Sequence, residues 1–127
     1  MQDFMDLKVW QRSHALVLRL YKLTSSFPKS ELYGLADQIR RAGASIPANI
    51  AEGCGRGGNV ELARYLQIAI GSMSELQYHI LLAKDLGYVS ESDYDVIDAE
   101  IKEIRRMLTG LIASIRRSSV KRPGTDN

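Results

Sequence analysis

The sequence predicts an all-α protein, an antiparallel up-down-up-down four-helix bundle. Apolar residues recur at steps of three and four along four separate stretches, the spacing that gathers them on one face of a helix. Short connections rich in Gly, Pro or Ser divide those stretches. Aromatic residues make up only 7% of the chain and runs of β-branched residues are scarce, which argues against an all-β fold.

The first helix is expected over residues 6–25, with Asp6 as its N-cap. Trp10, Val17 and Tyr21 form one apolar line and Leu16, Leu20 and Leu23 a neighbouring one. Phe27, Pro28, Lys29 and Ser30 make the turn, and Ser30 is placed to cap the second helix. That helix carries the most informative stretch of the chain, QIRRAGASIPANIAEG at residues 38–53. Pro47 sits in its middle, where a proline removes a backbone donor and costs ~3 kcal/mol. The apolar period nevertheless runs through it as Leu32, Leu35, Ile39, Ala42, Ile46 and Ile50. A helix kinked at Pro47 is therefore expected. A polar stripe lies alongside: Gln38, Arg41, Ser45, Asn49 and Glu52.

The glycine-rich connection GCGRGG, residues 53–58, ends the second helix, and Asn59 is expected to cap the third. The third helix has the apolar line Leu62, Leu66, Ala69, Met73, Leu76 and Ile80. Ile68, Ile70, Leu81 and Leu82 widen it beyond what one bundle core requires, which points to a protein–protein surface and to oligomerisation. Gly87 suits the position after a helix end. Ser90 with Asp93 makes a capping-box-like start for the fourth helix. Tyr94, Ile97, Ile101, Ile104, Leu108, Leu111 and Ile115 then alternate steps of three and four, the seam of a coiled-coil-like bundle helix. The bundle domain is placed at residues 1–117, with a polar, disordered tail at 118–127.

A chain of 127 residues with 45% hydrophobic and 25% charged residues is one ordinary domain with a real core. Its longest uncharged apolar-rich run, residues 65–73, falls far short of the ~20 residues that span a bilayer. The N-terminus has no signal-type apolar segment, so a cytoplasmic location without membrane contact is expected. The single Cys54 excludes an intramolecular disulfide. His14 and His79 lie on different helices with no ligand spacing, so no metal, no other cofactor and no catalytic set is expected, and the chain is read as a non-enzyme. GCGRGG follows no strand and precedes no Lys-Ser/Thr, so it lacks the phosphate-loop pattern and reads as a flexible corner.

The polar residues of the second and third helices read as a structural network: Arg40, Arg41, Ser45, Asn49, Glu52 and Glu75. Pro47 frees the Gly43 carbonyl from its usual donor, and a buried carboxylate at Glu52 would need an arginine, with Arg40, Arg41 and Arg56 as candidates. Net charge is only +2, but it is unevenly spread. Residues 91–103 hold six acids against Lys102, whereas from residue 104 onward six bases stand against Asp126 alone. Those bases, Arg105, Arg106, Arg116, Arg117, Lys121 and Arg122, are the candidate nucleic-acid contacts, although bases also complement the negative end of a helix.

Arg40-Arg41-Ala42 followed by Ser45-Ile46-Pro47-Ala48-Asn49-Ile50-Ala51-Glu52-Gly53 resembles the signature of the bacterial four-helix-bundle family of the 23S rRNA intervening sequence. Leu7-Lys8-Val9-Trp10, Gly34-Leu35-Ala36-Asp37-Gln38 and Tyr65-Leu66-Gln67-Ile68-Ala69 with Gly71, Ser72 and Glu75 extend the likeness over roughly residues 6–117. Cys54 departs from it, standing where family members more often carry a bulkier residue. The resemblance implies a ring of five identical subunits. It also implies a link to RNA, since founding members are encoded within rRNA-gene insertions. A related protein, the accessory variability determinant of diversity-generating retroelements, shares the ring and works with a reverse transcriptase and nucleic acid. The leading expectation is thus a homopentamer binding RNA or DNA through backbone charge, in which five subunits gather about 30 of these bases. The alternative is an assembly or adaptor module whose partner is a protein.

Overall fold

The structure, a computed structural model, describes the backbone of residues 3–125 and the side chains of residues 3–118. Four helices account for most of it: α1 (Lys8–Thr24), α2 (Leu35–Gly55), α3 (Asn59–Asp85) and α4 (Glu91–Thr125). Two short 3₁₀ turns, Phe4–Asp6 and Lys29–Glu31, precede α1 and α2. Each helix packs on the next in sequence, α4 returns to α1, and the α2–α3 contact is the most extensive. This is the expected four-helix bundle, with α3 ~40 Å long and α1 ~26 Å by helical rise.

The core follows the apolar stripes. Leu16 and Leu20 of α1, Ile39, Ile46 and Ile50 of α2, Leu66, Met73, Leu76 and Ile80 of α3, and Ile97, Ile101 and Ile104 of α4 are fully enclosed. On α4 the buried line continues as Leu108, Ile112 and Ile115, while the expected Leu111 is only partly buried. The reason is geometric. Leu111 and Ile112 flank the seam on opposite sides, and Leu111 faces an open crevice beside Leu62. Pro47 lies buried inside α2, and the helix continues on both sides of it.

Small residues set the closest approaches. A Cβ on Gly43 would lie 2.5 Å from Cδ1 of Leu20 on α1. A Cβ on Gly53 would lie 2.9 Å from Cβ of Tyr65 on α3. Both glycines therefore allow neighbouring helices to come nearer than any side chain would permit.

The caps divide. Ser90 caps α4 as expected, its Oγ accepting from the Asp93 amide at 3.1 Å. Gly87 takes φ +83°, the Gly87 amide donates to the Lys84 carbonyl and the Tyr88 amide to the Ala83 carbonyl, which closes α3 with a Schellman pair. The other three expected caps differ. Asp6 belongs to a 3₁₀ turn and Leu7 occupies the N-cap of α1. Ser30 lies in the second 3₁₀ turn, and Glu31 reaches forward instead, accepting from the Leu35 amide at 3.0 Å. Asn59 is the first residue of α3, behind an extended Gly58. At α1 and α3 the cap is backbone alone, the Leu7 and Gly58 carbonyls accepting from the Gln11 and Leu62 amides. α4 extends to Thr125, and among its described side chains the last buried one is Ile115. No helix among the described residues is long and apolar enough to cross a membrane.

Candidate nucleic-acid interface

The bases of α4 fall into two groups. Arg105 is half-buried and reaches across to α3, donating from Nη1 to Gln77 Oε1 at 3.0 Å and from Nη2 to Ser74 Oγ at 3.2 Å. Gln77 in turn donates to Asp98 Oδ1 at 3.4 Å, and Lys102 pairs with Asp98 at 2.8 Å. The hydrogen bond from Lys102, aided by Gln77 and opposed by partial burial, holds the Asp98 carboxyl below the ordinary aspartate range. Arg106 forks onto Glu103, and that contact lowers the Glu103 pKa. Arg105 and Arg106 are thus engaged within the chain. Arg116 and Arg117 are exposed. Lys121 and Arg122 lie beyond the described side chains.

The residues expected to form one polar network serve separate contacts. Ser45 and Asn49 do come together: Asn49 Nδ2 donates to the Ser45 carbonyl at 2.7 Å and to Ser45 Oγ at 2.9 Å. Ser45 Oγ also meets Ser72 Oγ of α3 at 2.7 Å. Arg40 faces the other way and binds α1, through Thr24 Oγ1 at 2.7 Å and the Tyr21 carbonyl at 3.3 Å. Glu52 is exposed and pairs with Arg56 at 3.4 Å, one of the expected candidates. Arg41 and Glu75 are exposed and make no side-chain hydrogen bond or ion pair among the described residues. α2 thus turns Arg40 to α1 and Ser45 to α3, while Asn49 and Glu52 bond within the chain's own neighbourhood.

The glycine-rich corner is organised by Tyr65. Arg56 donates to Tyr65 Oη at 2.6 Å, and the Arg64 guanidinium lies 4.6 Å from the ring centroid. Arg64 forks onto Glu61, which also stands 3.9 Å from Arg56, so two bases meet two acids there. Cys54 is buried beside this corner, and loss of solvent, with Asp3 adding to it, raises its thiol pKa. An apolar crevice of about 450 Å³ separates Cys54 and Leu62 from Leu111 and Ile115. Among the described residues no three of His, Cys, Asp and Glu are grouped so that they could hold a metal ion.

Two further surfaces stand out, one of which, the outer face of α3, the apolar surplus of the third helix anticipated. The corner between α1 and α2 places Lys29 beside Arg40, and neither pairs with a carboxylate within 4.0 Å among the described residues. Their proximity arises from the chain reversal, since Lys29 lies on the connecting turn and Arg40 on α2. The second is the outer face of α3. Val60 is 78% exposed and Tyr78 59%, with Ile68 and Leu81 also open. Gly71 lies on the same face, and a Cβ on it would meet nothing within 4 Å.

The described residues form an all-helical four-helix bundle, with an exposed apolar strip on the outer face of α3. The family profile of the 23S rRNA-intervening sequence protein matches residues 5–110, and the chain belongs to that family. Among solved structures it is similar to a protein of unknown function from the S23 ribosomal protein family of Bacteroides thetaiotaomicron VPI-5482. The TM-score is 0.77 at 25% identity, over 83% of this chain and 95% of the other. A comparison with curated proteins finds no match.

Proposed function

We propose that this chain assembles with copies of itself and binds RNA or other nucleic acid through the phosphate backbone, without catalysis. The observation that carries the reading is the placement of its unneutralised bases. Lys29 and Arg40 line one crevice at the α1–α2 corner, and Arg116 and Arg117 are exposed on α4; none of the four has a carboxylate within 4.0 Å among the described residues, whereas Arg12, Arg56, Arg64, Lys102 and Arg106 are each paired with an acid. Exposed bases release counterions when they meet phosphates, and repetition around an assembly multiplies a weak subunit charge. The family's name, which refers to a sequence inserted in 23S rRNA, supports RNA as the ligand. The homopentamer implied by the sequence resemblance is the assembly adopted here, with the apolar outer face of α3 as its seam.

The test is RNA binding to the full chain across a salt series. Each phosphate contact adds about −0.9 to the log–log slope on a duplex and about −0.7 on a single strand. A steep negative slope supports backbone binding. Absence of binding at low salt removes it and favours the second reading, a protein-binding module, whose own support is the exposed Val60, Ile68, Tyr78 and Leu81.

A further inference from the structure

The corner between α1 and α2 contains a guanidinium that is fixed in place and left without a counter-charge. Arg40 is half-buried. Its Nε donates to Thr24 Oγ1 at 2.7 Å, its Nη2 to the Tyr21 carbonyl at 3.3 Å, and its carbon Cζ sits 4.6 Å from the Tyr21 ring centroid. Thr24 is itself buried and donates to the Leu20 carbonyl at 2.7 Å, so its oxygen is oriented as an acceptor for Arg40. A guanidinium has five N–H groups. These contacts use two, and the remaining three have no protein acceptor among the described residues.

The nearest candidate acids do not neutralise it. Glu31 lies on the connecting turn, but Oε1 accepts from the Leu35 amide and Oε2 from Tyr88 Oη at 3.1 Å. Asp37, one turn before Arg40, forms no ion pair with it within 4.0 Å. Beside Arg40 is a crevice of about 110 Å³ whose wall includes Phe27, Pro28, Leu32 and the second cation Lys29. A water takes up ~30 Å³ of liquid, so the space suits a small oxyanion rather than a base or a sugar. Apolar walls weaken screening, and a held fork matches two oxygens of an oxyanion at once.

We propose that this corner is a seat for one phosphate group, with Arg40 as the fork and Lys29 as the second cation. Where the phosphate belongs to a nucleic-acid backbone, the seat deepens the nucleic-acid reading by naming a docking point. The seat itself requires only the phosphate.

The test follows the Arg40 Nε–H resonance of the ¹⁵N-labelled full chain, assigned by its loss in Arg40→Lys. Inorganic phosphate is titrated against chloride at equal ionic strength, and a single-stranded RNA oligonucleotide is titrated separately. The expected result is a saturable shift with phosphate and none with chloride. Lys29→Gln, a change on an exposed turn, should weaken it about fivefold, the scale of one charge-assisted contact. RNA should move the same resonance and compete with phosphate. A phosphate response without RNA binding keeps the seat and removes the nucleic-acid reading. RNA binding that leaves Arg40 unmoved, with no phosphate response, overturns the seat and keeps that reading. Silence to both ligands overturns both.

Discussion

The hydroxyls of Ser45 on α2 and Ser72 on α3 lie 2.7 Å apart, at the most extensive helix contact in the molecule. Asn49 donates to the same Ser45 oxygen at 2.9 Å, and Ser72 Oγ lies 3.3 Å from the Ile68 carbonyl. A pair of short polar side chains lets the two helices approach closely while each hydroxyl keeps a partner.

Asn49→Ala should therefore lower stability by ~1–2 kcal/mol, because it leaves the half-buried Ser45 with fewer donors. Glu52→Ala removes only an exposed pair with Arg56 and should leave the thermal midpoint unchanged. Thermal unfolding of both variants checks the contrast. Equal losses would mean that the stripe acts as one network after all.

Glycines at the two kinds of site should respond with opposite signs. Gly43→Ala places a methyl against Leu20 and should destabilise by ~1–3 kcal/mol. Gly110→Ala, on α4 with open space around it, should stabilise by ~0.5–1 kcal/mol through better helix propensity. Denaturant midpoints decide this, and a neutral Gly43→Ala would show that Leu20 yields readily.

The outer face of α3 predicts self-association. Light scattering of the full chain at micromolar concentration should give a multiple of the 14.2 kDa chain mass, a pentamer in the proposed assembly. Tyr78→Glu should reduce that mass without loss of helicity, since Tyr78 lies outside the core. A monomer mass for the parent would remove both the seam and the multiplied charge.

Asp98 predicts a pH dependence. Its folded pKa is depressed, chiefly by the Lys102 hydrogen bond, so the stabilisation is present above the unfolded value of ~3.9 and is lost as pH falls through the folded one. Asp98→Asn should be less stable than the parent at pH 7, and the gap should close on acidification below about pH 4. A gap of constant size across that range would assign the loss to packing instead.

Neutralising Arg116, Arg117, Lys121 and Arg122 together should weaken RNA binding and flatten the salt slope with the oligomeric mass unchanged, because phosphate contacts set affinity rather than fold. Arg105→Gln should instead cost stability, having lost its donors to Gln77 and Ser74. Undiminished RNA affinity in the fourfold variant would shift the interface to the α1–α2 corner.

Periodicity alone determined the four helices and nearly all of the core, because each helix must turn one apolar face away from water and that demand is written at steps of three and four. It also determined Gly87 and Ser90 as punctuation, since those caps depend on residues adjacent in sequence. Only the tertiary structure decided which of Leu111 and Ile112, the two flanks of the α4 seam, is buried. It alone separated Arg40 from Ser45 and Asn49, and tied Arg105 to Gln77 and Ser74 of α3. Charge spacing along a chain shows which bases exist, whereas their partners are chosen by residues that packing brings from other helices. For that reason the basic C-terminal half of α4 was legible in the sequence, and the unneutralised corner between α1 and α2 was not.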